Sequence, residues 1–541
     1  MEEQQQLDAQ FVRDLDLSDQ AEQRIAKLRR LQAAGSDPYP ACAERSHSSE
    51  AARNLWAEIS TAGLDEHGEP RSPGVTVERE DHAQGEMTTF AGDASERNPT
   101  ISLSGRIVLV RIMGKASFVT IEDISGRLQL YFKKEVMGEA AYQSFKDDLD
   151  LGDFISVSGT LFETRTHELS LKVLGCTLIS KSLRPLPDKW HGVTDVETRY
   201  RQRYVDLLAN PETREVFRTR ARLVAFVRRF LDERDYYEAE TPILQPVYGG
   251  GAAVPFTTEY KALDQTFYLR IADELYLKRL IVGGFERVYE IGHDFRNEGT
   301  DATHSPEFTM IELYQAYANY ETMMELFEAM CVGLAQQIKG SLQFDYQGMQ
   351  LDFTPPWPRV DMRQALIEQA GFDFLDYPDD EVGRRRLCEH LRGRGLRVEP
   401  TMRWAKLVDE ALGEYVEPGF TSPTFLLGHP VALSPLAKRK SDNPLLTERF
   451  EAYMGGFEIA NAFSELNDPI DQYARFLAAG RDAAAGDEEA HRMDVDFLTA
   501  LSYGMPPTGG MGIGIDRLAM IFTNQAAIRD VILFPALRSK E

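Results

Sequence analysis

Two patterns of apolar and polar positions divide this chain. Residues 98–180 contain short runs in which the two kinds of residue alternate, among them ISLSGRIVLV, ASFVTIED, RLQLYF and DFISVSGTLF. Alternation with a period of two is typical of half-buried strands. Five such strands, with a helical stretch at 139–149, predict a five-stranded OB barrel. Residues 206–541 mix strand and helix patterns without the regular βαβ alternation of a Rossmann fold.

The segments outside these two regions differ in composition. Residues 12–34 are charged and helically periodic, which predicts a helical extension over residues 1–43 with a basic stretch, RIAKLRR, as a candidate nucleic-acid contact or a solvated face. Residues 44–97 are rich in turn formers and acids, which predicts a variable, partly disordered surface insert. Residues 181–205 predict a linker. At 541 residues the chain is too long for one domain, so we expect the barrel and the later mixed region to be separate domains.

The most informative segment is FRNEG followed by HSPEFTMIELY, which predicts a strand, a polar loop and a second strand. Alternation along the second strand places Phe308, Met310, Glu312 and Tyr314 on one face. Arg296 ends the first strand beside this face. A guanidinium and an aromatic ring suit a nucleotide, whereas a carboxylate and a phenol suit an ammonium group. The hairpin is therefore a candidate site for ATP and an amino acid together; the alternative is an ordinary hairpin with a buried ion pair.

This hairpin resembles the second signature motif of the class II aminoacyl-tRNA synthetases. From about residue 23 to residue 535, the chain is similar to the lysyl-tRNA synthetases of the bacterial type. The matching stretches are KASFVTIED, SLRPLPDKWHG, RYRQRYVDL, LRIADELYLKRLIVGGFERVYEIG, SPLAKRK, EIANAFSELNDP and GMGIGIDRLAM. Several long matches in a fixed order are far more specific than any one short motif.

The resemblance implies a fold and an activity. The fold is α+β and multidomain, with an OB-fold anticodon-binding barrel before a class II catalytic domain built on an antiparallel sheet flanked by helices. Motif 1 falls at about 214–246, motif 2 at about 284–317 and motif 3 at about 508–523. The implied activity is that of a lysine–tRNA ligase: L-lysine and ATP form lysyl-adenylate and pyrophosphate, and lysine then passes to the 3′ end of tRNA(Lys). Motif 1 of the family builds a dimer interface, so a homodimer is implied as well.

Activation brings together two anions, the lysine carboxylate and the ATP α-phosphate, so catalysis depends on positioning, positive charge and a metal ion. The resemblance assigns Arg296 to the α-phosphate and the substrate carboxylate, and Arg517 to the γ-phosphate, as the candidate catalytic residues. Phe308 is expected to stack on adenine. We expect Asp516 to cap the helix that carries Arg517. The other implied ATP contacts are Glu298, His304, Glu451, Glu458 and Gly514.

The segment EAYMGGFE predicts a hairpin with a two-glycine turn. Counting back from the turn places Tyr453 opposite Glu458 and Glu451 opposite Ala460, so Glu451 and Glu458 share a face. Paired carboxylates beside an ATP site suit Mg²⁺ bridging to phosphates, and the resemblance implies that use. Mg²⁺ is therefore the expected cofactor.

The lysine contacts implied by the resemblance are Gly250, Glu274, Arg296, Glu312, Tyr314, Asn461, Phe463 and Glu465. Glu465 beside Tyr314 is expected to receive the ε-ammonium, since an ammonium removed from water needs a charged partner and further hydrogen bonds. Glu274, Glu312 and the backbone near Gly250 are expected to meet the α-amino group. Strict alternation, however, places Glu458 and Asn461 on opposite faces of one strand. We therefore predict a bulge or bend between them.

In the barrel, Phe118 and Gln129 stand on neighbouring predicted strands, with Arg111 before them and Glu168 after. An aromatic ring with hydrogen-bonding side chains on an OB face suits single-stranded bases. The resemblance implies that these residues read a uridine-rich anticodon. The alternative for Phe118 is a core residue of the barrel.

Charge and cysteine content limit the possible modes of nucleic-acid binding and the expected cellular compartment. A net charge of −26 argues against a nonspecific nucleic-acid coat, although it leaves room for one shaped tRNA site. The four cysteines form no CxxC pair, which favours a reducing compartment, and the cytoplasm is the expected location. No apolar run is long enough for a membrane span, and MEEQQQ is not typical of a signal peptide.

The chain departs from the family pattern at Val254, Tyr260, Lys261 and Phe457. Basic residues are usual at the first and last of these positions, and a His-Asn pair at the middle two. Three alternatives to a lysine–tRNA ligase therefore stay open. One is the related aspartyl or asparaginyl enzyme; another is a diverged paralogue that activates lysine or an analogue for another acceptor. The third is a catalytically inactive tRNA-binding protein.

Overall fold

A computed structural model of the chain describes residues 2–62, 76–80, 87–91, 98–164, 166–187, 193–484 and 492–539. The chain forms two compact units, Met1–Trp190 and His191–Glu541. None of the described helices combines the length and the apolar character that crossing a membrane requires.

The described helices of the first unit are α1 (Glu2–Asp14), α2 (Asp19–Ala33), α3 (Ser49–Ala62), α4 (Lys134–Met137) and α5 (Glu139–Asp148). Its described strands are β1 (Thr76–Glu80), β2 (Met87–Ala91), β3 (Ile101–Met113), β4 (Ala116–Asp123), β5 (Gly126–Lys133), β6 (Phe154–Thr164) and β7 (Leu169–Ser180). Strands β3 to β7 form a closed barrel: β3 pairs with β4 and β6, β5 with β4 and β7, and β6 with β7. The predicted five-stranded OB barrel is confirmed.

Alternation in the barrel strands separates an inner from an outer face. Val119 and Ile121 of β4 and Leu128 and Leu130 of β5 are buried in one apolar core. The residues between them point outward. Burying each such aliphatic side chain stabilises the fold by about 1.5–3 kcal/mol.

The prediction for residues 44–97 needs correction. Helix α3 lies inside this segment, and its Ala52 and Trp56 are buried in the barrel core. Strands β1 and β2 also lie inside it and extend the sheet beside β6. The polar composition hid an amphipathic helix, whose acids Glu50 and Glu58 are exposed while Ala52 and Trp56 are buried. Residues 63–75, 81–86 and 92–97 lie outside the described residues.

The N-terminal extension holds two helices, α1 and α2, instead of the single helix predicted over residues 12–34. The basic stretch of α2 is engaged within its own unit. Lys27 pairs with Asp150 at 2.8 Å, and buried Arg24 donates to the carbonyls of Ser182 and Arg184. Arg24 and Lys27 are thus held by contacts within the unit, while Arg30 keeps 58% of its side chain exposed, so a contact with tRNA stays a prediction.

The described helices of the second unit are α6 (Val196–Arg201), α7 (Arg203–Ala209), α8 (Pro211–Asp232), α9 (Glu274–Val282), α10 (Tyr320–Leu334), α11 (Met362–Ala365), α12 (Glu381–Gly393), α13 (Trp404–Tyr415), α14 (Pro469–Ala484), α15 (Val495–Ser502), α16 (Ile515–Thr523) and α17 (Ile528–Val531). Helical turns of π or 3-10 type cover Ala335–Lys339, Leu366–Ala370, Phe374–Asp376, Glu417–Gly419 and Val431–Leu433.

The described strands of this unit are β8 (Tyr237–Glu238), β9 (Leu244–Gln245), β10 (Thr257–Tyr260), β11 (Gln265–Leu269), β12 (Arg287–Phe295), β13 (Glu307–Ala316), β14 (Gln343–Tyr346), β15 (Met349–Asp352), β16 (Arg359–Asp361), β17 (Thr424–Leu427), β18 (Arg449–Met454), β19 (Phe457–Ser464) and β20 (Thr508–Gly514). An eight-stranded sheet has the order β16-β17-β18-β19-β20-β13-β12-β8. Only its outer pairs, β16–β17 and β12–β8, are parallel. The prediction of a mainly antiparallel sheet flanked by helices is confirmed.

The predicted linker 181–205 is partly wrong. Helix α6 and the start of α7 occupy its second half, and Arg203 is almost fully buried at 1% exposure. Its guanidinium donates to the carbonyls of Arg529 and Leu533 and pairs with Asp206 at 2.7 Å. This residue therefore belongs to the folded body of the second unit.

The large sheet has one apolar and one polar face. On β13, Ile311 and Leu313 pack into a core with residues of α8, α10 and α16, such as Leu223, Phe327 and Leu518. The residues between them on β13 point to the opposite face, where they line a cavity. Strand β13 thus packs one face against the core, and the side chains of its other face line the cavity.

Candidate active site

A cavity of about 1340 Å³ lies on the polar face of the large sheet. That volume accommodates a nucleotide and an amino acid together. Every residue expected to contact ATP, lysine or the metal ion lines it: Gly250, Glu274, Arg296, Glu298, His304, Phe308, Glu312, Tyr314, Glu451, Glu458, Asn461, Phe463, Glu465, Gly514 and Arg517. The fold therefore gathers residues that are far apart in sequence onto one surface.

The β12–β13 hairpin supplies the end of the cavity whose side chains suit a nucleotide. Strand β12 ends at Phe295, and Arg296 begins the loop. The Arg296 Nε donates to the Ile271 carbonyl at 3.5 Å, and its guanidinium carbon lies 5.2 Å from the Phe308 ring centroid. Glu298 and His304 are exposed loop residues. A positive charge is thus held beside an aromatic ring, the arrangement expected for phosphate and base.

Helix α16 brings Arg517 to the same end. The Arg517 Nη1 donates to the Glu458 carbonyl at 2.8 Å, and its Nη2 lies 3.1 Å from Nε2 of His304. Gly514 occupies the N-cap of α16. The second positive charge of the cavity is therefore fixed by backbone and loop contacts.

The prediction that Asp516 caps α16 is wrong. Its carboxylate accepts hydrogen bonds from Arg220 of α8 at 2.6 Å and from the Thr309 backbone N–H at 2.7 Å. A local capping rule was overridden here because the buried carboxylate has stronger partners from distant elements. These two hydrogen bonds connect the segments predicted as motif 1 (Arg220), motif 2 (Thr309) and motif 3 (Asp516), next to Arg517.

The hairpin β18–β19 contains the predicted irregularity. Tyr453 lies opposite Glu458, as predicted, but Glu451 lies opposite Asn461 instead of Ala460. The register shifts because Ile459 is an extra residue in β19. The bulge turns Glu458 and Asn461 toward the same cavity. The two-glycine turn is confirmed, with positive φ angles at both glycines.

Glu451 is held by an array of donors. Arg449 Nη2 donates to its Oε1 at 2.5 Å, the Tyr453 hydroxyl donates to its Oε2 at 2.8 Å, and His429 Nε2 lies 3.2 Å away. Burial alone would raise the pKa of Glu451, but His429 and Arg449 outweigh it and lower the pKa well below its ordinary value. Arg449 Nε also donates to the Asn461 side chain at 3.0 Å. Arg449 therefore links the proposed metal ligand to a proposed lysine ligand.

The carboxylates Glu451 and Glu458 fit a divalent cation. Both line the cavity, and burial together with the nearby Glu451 carboxylate raises the pKa of Glu458. A carboxylate whose ionisation is disfavoured by a neighbouring carboxylate is stabilised by a cation between the two. Oxygen ligands of this type, completed by phosphate and water, are those that Mg²⁺ prefers.

The amino-acid end of the cavity is lined by buried acids. Glu274 starts α9 and Glu465 follows β19, and both pair with Lys278, whose side chain is 1% exposed. Burial raises the pKa of Glu465 to about 8, although Lys278 opposes this. Burial alone would lower the pKa of Lys278, but the two carboxylates outweigh it and raise the pKa.

Glu312 and Tyr314 complete this end. The Tyr314 hydroxyl donates to Glu312 Oε2 at 2.8 Å. Burial, then the carboxylates of Glu274 and Asp294, raise the pKa of Glu312 well above its ordinary value. A ligand with ammonium groups would relieve this crowding of buried negative charge.

Two glycines make room for these acids. A Cβ on Gly510 would lie 2.0 Å from Glu465 Oε1 and 2.5 Å from the Tyr314 ring. Gly250 has φ of +88°, and a Cβ there would lie 3.0 Å from the Glu274 Cβ. Neither position accepts a side chain without moving a residue of the amino-acid end.

Family models match both regions of the chain. A class II tRNA synthetase model (D, K and N) matches residues 195–538, and an OB-fold nucleic acid binding model matches 101–179. A lysine–tRNA ligase of Roseiflexus castenholzii is 50% identical over 528 residues, covering 97% of this chain and 100% of the relative. Lysine–tRNA ligases of Moorella thermoacetica (50%) and Dehalococcoides mccartyi strain BAV1 (49%) each cover 96% of the chain and 97% of their own length. The chain belongs to the lysine–tRNA ligase family.

The positions at which this lysine–tRNA ligase family member departs from the expected pattern have their own contacts. The Val254 carbonyl accepts from the Asn297 backbone N–H at 2.7 Å. Tyr260 packs edge-on against Phe267, with ring centroids 5.4 Å apart, and Phe457 does the same against Tyr346 at 6.2 Å. The aromatic departures are thus accommodated by aromatic packing.

The OB barrel carries the four residues expected to read an anticodon. Phe118 lies opposite Arg111 on one side and Tyr131 on the other, and its ring lies 5.1 Å from the Tyr131 ring. Phe118 is half-buried on the outer face, outside the barrel core, so it is not the core residue of the alternative interpretation. Gln129 accepts from the Ser170 hydroxyl at 2.8 Å. Arg111 and Glu168 are exposed.

Three further residues of the site, Lys278, Arg449 and Gly510, were not predicted from the sequence. Two of them carried a signal: Lys278 follows Glu274 by one helical turn, and Arg449 precedes Glu451 on the same face of a strand. Gly510 stands in a glycine-rich run whose individual members could not be told apart from the sequence.

Proposed function

We propose that this chain activates L-lysine with ATP and transfers the lysine to tRNA(Lys). In the first step, a lysine carboxylate oxygen attacks the α-phosphorus of ATP, and pyrophosphate leaves to give lysyl-adenylate. In the second step, a hydroxyl at the tRNA 3′ end attacks the activated carbonyl, and AMP leaves. The observation that supports this most strongly is one cavity with arginines and an aromatic ring at one end and buried carboxylates at the other.

The nucleotide is proposed to lie at the Phe308 end. Phe308 stacks on adenine, while Arg296 holds the α-phosphate and the substrate carboxylate and Arg517 holds the γ-phosphate. Glu298 and His304 contact base and phosphates from the loop, and the Gly514 backbone lines the phosphate path. Electrostatic stabilisation by fixed positive charges is the main source of rate enhancement for such a transfer.

Lysine is proposed to lie at the Glu465 end. Glu465 and Tyr314 receive the ε-ammonium, with Asn461 and Phe463 along the side chain. Glu274, Glu312 and the Gly250 backbone receive the α-ammonium. An amino acid without the second ammonium group would leave one of these buried carboxylates unpaired. The site is therefore expected to reject it.

Mg²⁺ is the proposed cofactor, held by Glu451 and Glu458. When bound, it supplies positive charge to the ATP phosphates. Arg449, Tyr453 and His429 keep Glu451 ionised and oriented for that contact.

The remaining partners are proposed from the family. The outer barrel face with Arg111, Phe118, Gln129 and Glu168 binds the anticodon of tRNA(Lys). A homodimer forms through the α8 region, where exposed Tyr237 and Leu244 follow the helix at 56% and 52% exposure. The cytoplasm is the proposed location.

Amino-acid-dependent exchange of pyrophosphate into ATP tests the first step, with each standard amino acid supplied in the absence of tRNA. We expect exchange with lysine alone. Arg296→Ala should abolish it, because the transferred phosphate loses its guanidinium. Exchange with a different amino acid would contradict the assignment of Glu465, and no exchange with any amino acid would contradict the proposed activity.

A further inference from the structure

An internal ammonium group stands inside the proposed lysine site. Lys278 of α9 is buried to 1% side-chain exposure and pairs with Glu274 and with Glu465. Its Nζ lies 5.4 Å from the Phe463 ring centroid and 6.0 Å from that of Tyr314. The residues proposed to hold lysine therefore already surround a lysine of the protein.

Lys278 takes one oxygen from each carboxylate. It contacts Oε1 of Glu274 and Oε2 of Glu465. If Gly250 carried a Cβ, that atom would lie 3.6 Å from the other oxygen of Glu274, Oε2. A Cβ on Gly510 would lie 2.0 Å from the other oxygen of Glu465, Oε1. Each carboxylate thus keeps one oxygen that Lys278 does not contact, and that of Glu465 is buried without a hydrogen-bond partner among the described residues.

Lys278 offsets part of the negative charge of the acids at the proposed lysine end. Glu274, Glu312 and Glu465 supply three carboxylates, and Lys278 supplies one ammonium. Among these four groups alone, full ionisation would leave two negative charges, which the two ammonium groups of L-lysine would offset; Asp294 adds further negative charge near Glu312.

We propose that Lys278 is a positioning and specificity-determining residue for L-lysine. It links the acceptor of the α-ammonium to the acceptor of the ε-ammonium, so the separation of the two free oxygens is set by the protein before the substrate arrives. An amino acid whose two ammonium groups have a shorter spacing cannot reach both oxygens. The proposal rests on the proposed function, because it assumes that lysine occupies this end of the cavity.

Lysine-dependent pyrophosphate exchange in Lys278→Met tests this role. We expect the KM for lysine to rise roughly 100-fold or more, because an unpaired carboxylate is left buried and the two acceptors can move apart. The KM for ATP should stay unchanged. The preference for lysine over ornithine, which is one methylene shorter, should fall, since the acceptor spacing is no longer fixed.

Lys278→Gln provides a second variant that keeps hydrogen-bond donors and similar volume but removes the charge. We expect the same rise in the KM for lysine. The matched control is Lys181→Met in the barrel unit, where Lys181 has 0% side-chain exposure and lies 2.6 Å from Asp150 and 2.7 Å from Asp153. That variant also loses a buried lysine between two carboxylates, but the KM for lysine should not change.

The outcomes separate the two proposals. Lysine-dependent exchange by the wild-type chain, with an unchanged KM for lysine and unchanged ornithine discrimination in both Lys278 variants, would overturn the role of Lys278 alone. A rise in the KM for lysine of equal size in Lys181→Met would also overturn it, because general destabilisation would then explain the effect. No lysine-dependent exchange by the wild-type chain would overturn the proposed function and this inference with it.

Discussion

Glu451 lies directly opposite Asn461 in the β18–β19 ladder, one position away from the pairing that a regular hairpin would give. The displaced register comes from Ile459, the extra residue of β19. Because side chains alternate along a strand, one inserted residue is what allows Glu458 and Asn461 to face the same cavity. The bulge therefore places Glu458, a proposed metal ligand, and Asn461, a proposed lysine ligand, at the same cavity.

Deleting Ile459 should remove the bulge and the local bend of β19, so Glu458 and Asn461 would still share a face but would be displaced relative to each other. We expect pyrophosphate exchange to fall by about 100-fold or more, since misplacing a positioning group by even about 1 Å has that effect. The control is Ile459→Ala, which keeps the bulge and trims a buried side chain. It should lower the unfolding temperature but retain lysine-dependent exchange. Normal exchange by a folded deletion variant would show that the bulge is dispensable.

Gly510→Ala should damage the lysine end selectively. The new Cβ would stand 2.0 Å from Glu465 Oε1, so Glu465 and Tyr314 must both shift. We expect kcat/KM for lysine in pyrophosphate exchange to fall about 100-fold, with little change in the KM for ATP. Gly413→Ala in α13 is a matched control, because its Cβ would meet its nearest atom at 3.9 Å. Equal effects of the two alanines on lysine kinetics would contradict this prediction.

Phe118→Ala should separate activation from tRNA charging. Loss of base stacking costs about 1–3 kcal/mol, so aminoacylation of tRNA(Lys) should lose roughly 5- to 150-fold in kcat/KM. Pyrophosphate exchange without tRNA should not change. Leu174→Ala removes another exposed apolar side chain from the barrel and should affect neither reaction. A loss in exchange as large as the loss in charging would point to misfolding instead of anticodon recognition.

Glu417 should make stability depend on pH. Burial raises the pKa of its carboxyl to about 7 from an ordinary value of 4.5, although the Tyr453 hydroxyl donates to it at 2.9 Å. The folded state therefore binds this proton more tightly than the unfolded state. Its stabilising contribution is complete below the ordinary pKa and is lost as the pH rises through about 7.

Glu417→Gln removes that titration. Between about pH 5 and about pH 8, denaturant unfolding should show the variant gaining about 1 kcal/mol relative to the wild type, a figure reduced for partial exposure to solvent. Parallel pH profiles for the two proteins would mean that the carboxyl has an ordinary pKa in the folded state.

Sequence patterns predicted most where the relevant contacts are local. Alternation along β13 correctly placed Phe308, Glu312 and Tyr314 on one face, and the conflict between Glu458 and Asn461 correctly predicted a bulge. Local rules failed where distant partners intervened. Asp516 looks like a helix cap in the sequence, but Arg220 and the Thr309 backbone bind its carboxylate.

The sequence by itself determined the barrel strands, the two hairpins of the site and the side chains that share a face there, because period and turn chemistry act over a few residues. It also carried the family resemblance, since long ordered matches persist along the chain. Only the tertiary structure decided which carboxylates Lys278 pairs with. The contact of Lys278 with Glu465 joins α9 to the end of β19. Such a contact follows from how the sheet and helices pack, and no local pattern encodes it.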